Sequence, residues 1–154
     1  MGMKVFLSHS TKDKWLVTQL EIILSRNQIN CYVAEEDVQP GSALWEKISA
    51  NIRDSDCVLV VLTNDGNRSE MVNQEIATAH SLNKPIIPLV ETGVQVKGVL
   101  GGREYIELDK RNPYGAINNA GAYLANFKTK LENQQAFTSL VIAGLMLWAF
   151  SQEK

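Results

Sequence analysis

Glu75 is the acid whose place in the chain best suits chemistry. It lies in Ser69 to Leu82, read S-E-M-V-N-Q-E-I-A-T-A-H-S-L. Val72, Ile76 and Ala79 recur there at helical spacing and predict a face turned to a core. Ser69 is a suitable cap for that helix. Glu75 sits one position off the apolar stripe, near the face that packs on a sheet. Just upstream, Cys57 to Leu62 is a continuous apolar run, the pattern of a strand buried on both sides of a parallel sheet. Thr63 to Arg68 then reads as the loop at that strand's C-terminal end, where open α/β sheets bind ligands. A single acid in this place has two readings. It is aimed at a ligand, or it is a carboxylate in the first turns of a helix, favoured by the dipole. His80 follows five residues later, but no Cys/His/Asp spacing makes a metal site with it, so no metal is expected.

The elements that must position Glu75 follow from the rest of the chain. Lys4 to Ser8 reads as a first strand, broken by Ser8-His9-Ser10-Thr11. Ser10 and Asp13 resemble a capping box with aspartate in place of glutamate. The helix after them presents Leu16, Leu20, Ile23 and Leu24 on one face, and Ile29 to Val33 is a second strand. These parts make a right-handed βαβ unit. Ala34 to Ser42 carries three acids and a Pro40-Gly41 turn signal, with Ser42 suited to cap the next helix. That helix shows Leu44, Ile48 and Ile52 at four-residue spacing, with Trp45 beside the stripe. Trp45 either packs under the loop or offers a flat surface to an adenine or nicotinamide ring. Pro85 to Val90 predicts a fourth strand with Pro88 near its end, since proline removes a ladder donor. Glu91 to Arg103 reads as loop, and Gly101-Gly102 lacks the glycine spacing of a dinucleotide fingerprint. Glu104 to Leu108 is a short edge strand. Pro113 opens a last domain helix with Ile117, Ala120, Leu124, Phe127 and Leu131 inward. Strands alternating with helices imply a parallel sheet covered on both faces.

Composition narrows the function classes. The chain of 154 residues suits one ordinary domain. A formal charge of -2 with no basic stripe points to no nucleic acid partner. Cys31 and Cys57 lie in apolar runs without a C-x-x-C pattern, as expected for free thiols in a reducing cytosol, and the N-terminal residues do not read as a signal peptide. The expected location is therefore cytoplasmic. The far end differs. Ala136 to Phe150 holds no charge over fifteen residues. As a helix it would be about 22 Å long against about 30 Å of bilayer hydrocarbon. It is expected to be helical, and either to anchor the protein through membrane contact by residues 136–150 or to serve as a buried oligomerisation or domain-covering helix.

Three boxes resemble the TIR (Toll/interleukin-1 receptor) domain family. V-F-L-S-H-S, Val5 to Ser10, is similar to its opening strand and first loop. D-V-Q-P-G-S, Asp37 to Ser42, is similar to its long loop after the second strand. S-E-M-V-N-Q-E-I, Ser69 to Ile76, resembles its serine-x-tryptophan-cysteine-x-x-glutamate motif, with Met71 and Val72 in place of tryptophan and cysteine. The resemblance implies a flavodoxin-like α/β fold: a five-stranded parallel sheet of order 2-1-3-4-5 with helices on both faces. It would cover residues 1–132, leaving 133–154 as an apolar helical tail.

Animal receptor and adaptor members of that family mainly self-associate and pass on signals. Many bacterial, archaeal and plant members cleave NAD+ at the nicotinamide bond and release ADP-ribose or a cyclic signalling nucleotide, notably in anti-phage defence. The resemblance places the catalytic glutamate at Glu75, with NAD+ as substrate and no further cofactor. It gives ligand-side roles to the strand-end wall at Phe6, to Ser8 and His9 in the first loop, to Asp37 in the mobile loop and to Trp45 as a stacking surface. Phe6 reads first as plain core, and His9 alternatively as a loop histidine at a self-association surface. The implied partners are further copies of the chain through TIR–TIR contacts and a nucleotide-activated effector protein. Ala34 to Leu44 is expected to move and to join in self-association. The rival reading is a catalytically silent adaptor of the same fold; a flavodoxin-like ligand-binding module comes third.

Overall fold

The computed structural model describes residues 2–34 and 43–152. Asp37 and most of the Ala34 to Leu44 segment lie outside the described residues. The strands are β1 (Lys4–Ser8), β2 (Asn30–Val33), β3 (Cys57–Leu62), β4 (Ile86–Glu91) and β5 (Ile106–Leu108). They form one parallel sheet in the order β2-β1-β3-β4-β5, which is the expected arrangement. The helices are α1 (Lys14–Arg26), α2 (Leu44–Asp54), α3 (Asn64–Arg68), α4 (Glu70–Ser81) and α5 (Pro113–Gln152).

Alternation along the strands divides the core into two layers. Val5, Leu7, Cys57, Leu59, Val61 and Leu89 face α1 and α5. Phe6, Val58, Val60, Leu62 and Val90 face α2 and α4. Every residue of β3 is buried, so the central strand reads as an unbroken apolar run. Burial also raises both thiols, Cys31 and Cys57, to about 12, and they are unreactive there.

Pro88 sits inside β4, opposite Val60, not near the strand's end. The sheet tolerates it for a geometric reason. Thr92 N donates to Leu108 O, so even-numbered residues of β4 direct their N–H toward β5. The β4–β5 ladder begins only at Leu89 with Ile106. The donor that proline lacks would have pointed to where β5 has not yet started.

The segment after β3 is more ordered than a loop. Thr63 caps α3, accepting from Gly66 N at 3.0 Å and donating to Asp13 Oδ2 at 2.6 Å. Asp13 therefore ties the first loop to the third, a different role from the expected capping box, and burial raises its pKa. Gly66 packs so closely that an added Cβ would run into the Val61 carbonyl oxygen. The Gly66→Ala protein is expected to lose about 1–3 kcal/mol of stability, read from denaturant midpoints, because backbone and not a flexible side chain must give way. An unchanged midpoint would show that the turn relaxes freely.

Candidate functional site

The site is built at the C-terminal edge of the sheet. Ser69 caps α4 by accepting from Val72 N at 3.3 Å. That start fixes the helix phase, and Val72, Glu75, Ile76 and Ala79 become its buried face. Glu75 is thus drawn fully into the packed side, at 2% exposed. Its carboxyl lies by the end of β1, where Ser8 is also buried.

A cavity of about 530 Å³ opens over Glu75, within the size range of small-molecule sites. The first loop contributes His9, Ser10 and Thr11, β2 ends at it with Val33 and Ala34, and Met71 and Glu75 come from α4. Lys14, Thr18 and Glu21 of α1 form a polar wall. The apolar face with Leu16, Leu20 and Leu24 packs on the core instead. The signal for this wall was present as polar residues at i, i+4 and i+7, which share one helix face.

Three polar atoms at this end of the cavity are buried without a hydrogen-bond partner among the described residues: Ser8 Oγ, His9 Nε2 and Glu75 Oε2. Burying unpaired polar groups costs stability, so their grouping here calls for a reason. His9 Nδ1 donates to the Ser10 carbonyl oxygen at 2.7 Å, which leaves Nε2 as the acceptor of the neutral ring. Burial pushes Glu75 up to about 7, while the nearby Ser8 hydroxyl, not in good hydrogen-bond geometry, holds it back slightly.

The structure buries Ser8 next to Glu75 and sets His9 on the wall of the cavity that Glu75 also lines. Phe6 is wholly buried in the α2–α4 layer, its ring 5.5 Å from Tyr32, and does not line the cavity. Trp45 is 40% exposed at the start of α2 and is not among the described lining residues. Asp37 lies outside the described residues. Met71, where the resembled motif has tryptophan, does line the cavity, so that replacement reshapes its wall. His80 is an exposed residue of the last turn of α4. Among the described residues no His, Cys, Asp and Glu side chains are grouped to hold a metal ion.

Comparison with known proteins agrees with this architecture. No curated protein sequence matches the chain. The TIR domain of the Toll-related receptor TRR-2 from Hydra magnipapillata is 20% identical with a TM-score of 0.65, covering 79% of this chain and 97% of that one. The CMP N-glycosidase BcmB of Clostridium botulinum is 18% identical with a TM-score of 0.60, covering 78% and 98%. The RPS4 and RRS1 TIR domain heterodimer gives 14% identity and a TM-score of 0.58, covering 82% and 99%. At these identities the likeness is one of fold. Residues 5–119 match the TIR domain family itself, and the chain belongs to that family.

Proposed function

We propose that the protein is an NAD+ nucleosidase in which Glu75 stabilises the breaking bond between nicotinamide and ribose. The observation that supports this best is the buried Glu75 carboxylate oxygen, unpartnered among the described residues, with unpartnered Ser8 Oγ next to it and unpartnered His9 Nε2 on the wall of the same cavity. Family membership alone spans NAD+-cleaving domains and adaptors. A purely adaptor domain has no use for a carboxylate kept buried at the cost of its hydration. N-glycosidic chemistry also fits the fold, since a protein named CMP N-glycosidase shares it.

Nicotinamide carries a positive charge in NAD+ and leaves as a neutral base. As its bond to ribose lengthens, positive charge develops on the sugar. The ionised Glu75 faces that charge in a site of low dielectric and accepts hydrogen bonds from ribose hydroxyls, so it binds the transition state better than the ground state. Ser8 supplies a hydroxyl to the same sugar edge, and His9 Nε2 accepts from a substrate N–H or O–H. Glu75 need not become covalently attached. Capture by water gives ADP-ribose; capture by an atom of the same molecule gives a cyclic nucleotide, the kind of product that would act on a nucleotide-activated effector in anti-phage defence. Asp37 and Trp45 are assigned to loop and stacking contacts that assembly of copies brings to the ligand.

The test is release of free nicotinamide from NAD+ by purified protein over a range of subunit concentrations, with products identified by mass spectrometry. Intact NAD+ at every concentration would favour the silent adaptor. The pH dependence carries a sign. Glu75 acts ionised and its pKa in the free protein is about 7, so kcat/KM is expected to rise with pH up to about 7 and then level off. A bound cation favours the carboxylate, so the corresponding limb in kcat should fall at lower pH. A rate that declines through pH 7 would contradict the role.

A further inference from the structure

We propose that residues 133–152 of α5 cross a lipid bilayer, and that the bilayer lies on the side of the domain opposite the Glu75 cavity. The inference is independent of the nucleosidase reading. α5 is one unbroken helix from Pro113 to Gln152. Its inner face packs on the core as far as Leu131, and every residue from Glu132 to Gln152 is exposed.

From Asn133 to Gln152 no Asp, Glu, Lys or Arg occurs. A helix of this length spans about 30 Å with its polar ends, while its apolar part, Ala136 to Phe150, spans about 22 Å, a shortfall that local thinning of the bilayer takes up. The apolar residues leave no wet side. At about 100° per residue, Phe137, Val141 and Trp148 point one way, Leu145 and Ile142 follow, Met146 and Phe150 lie opposite, and Leu147 and Leu140 close the circle. All of these are between 44% and 72% exposed. Pairing with a second copy would cover one stripe and leave the opposite one in water. A bilayer covers all of it.

The polar groups in the stretch suit lipid as well. Thr138 Oγ1 donates to the Gln134 carbonyl at 2.9 Å, and Ser151 Oγ donates to that of Trp148 at 2.7 Å, so two of the three hydroxyl protons, Ser139 being the third, are satisfied within the helix. The amides of Asn133, Gln134, Gln135 and Gln152 fall at the two ends, at headgroup depth, with Trp148 near one of them.

The orientation follows from packing. Gly121 of α5 lies against Ile23 of α1, and Lys128 Nζ donates to the carbonyl of Asn27, which ends α1, at 3.3 Å. The two helices therefore run the same way, and both descend to the N-terminal edge of the strands. The exposed part of α5 continues out beyond that edge. The cavity opens at the other edge, and the stretch from Pro113 to Glu132 sets it about 30 Å from the lipid. The site would thus face soluble substrate.

The test uses the full chain, purified in nonionic detergent and reconstituted into neutral phosphatidylcholine vesicles. It is expected to float with the vesicles and to stay with them in 1 M NaCl. Brominated acyl chains are expected to quench tryptophan fluorescence, and Trp148→Phe should abolish the quenching. Trp15 and Trp45 stand at the starts of α1 and α2, on the cavity side, and should stay unquenched. The double substitution Val141→Arg and Leu145→Arg alters only exposed side chains, so near-UV circular dichroism of the domain should persist while flotation is lost. Wild-type protein that remains in the aqueous phase without detergent as a discrete oligomer would overturn the proposal, as would release by salt. Quenching that persists in the Trp148→Phe protein would overturn the orientation.

Discussion

At pH 8 the Glu75→Gln protein is expected to unfold at a higher temperature than the wild type, and at pH 4 the two should coincide. The sign follows from linkage. Burial raises the Glu75 pKa from 4.5 to about 7 in the folded protein. Between those values the folded state binds more protons than the unfolded state, so stability falls as pH rises from about 4.5 to about 7 and is level above. The full penalty at pH 8 is about 3 kcal/mol. Glutamine has nearly the same shape and no charge, so it removes the penalty where the penalty exists. At roughly 2–4 °C per kcal/mol for a chain of this size, the difference in Tm at pH 8 is about 6–12 °C. Melting curves in nonionic detergent at the two pH values check this. Equal Tm values at pH 8 would mean that Glu75 is held comfortably ionised, contrary to its burial with Oε2 unpartnered among the described residues.

The same substitution is expected to lower kcat for nicotinamide release by about 100-fold or more, with little change in KM. Removing one preorganised electrostatic group from a water-poor site costs roughly 10²–10³ in rate. An interaction realised mainly as charge develops appears in kcat and not in substrate binding. The substitution thus moves stability and activity in opposite directions, a signature of a residue kept for chemistry. A variant that is both more stable and fully active would remove Glu75 from the reaction. A variant whose KM rises with kcat unchanged would make it a binding residue only.

The sheet was readable because its strands carry strong patterns. The apolar run at Cys57 to Leu62 fits a strand covered on both faces, and the helices on either side have clear stripes such as Leu44, Ile48 and Ile52. Strand order came with the family resemblance, since periodicity says nothing about which strands are neighbours. The short α3 was hidden because Asn64-Asp65-Gly66-Asn67 is turn-like in composition. Its helical turn depends on the Thr63 cap and on the close approach of Gly66 to β3, both tertiary effects. The apolar tail is helical as expected, and because Glu132 to Gln135 contains no helix breaker it continues α5 without interruption. At the site, spacing put Glu75 near the packed face of α4. Its full burial, and the unpartnered Ser8 next to it, depend on how the end of β1 meets α4, which no single stretch encodes.

The most direct measurement counts nicotinamide released per subunit when purified full-length protein, reconstituted in vesicles, is given excess NAD+ at pH 7.5. The account predicts many turnovers, with one ADP-ribose or cyclic product for each nicotinamide. NAD+ recovered intact from wild-type protein, dilute and concentrated alike, would contradict it.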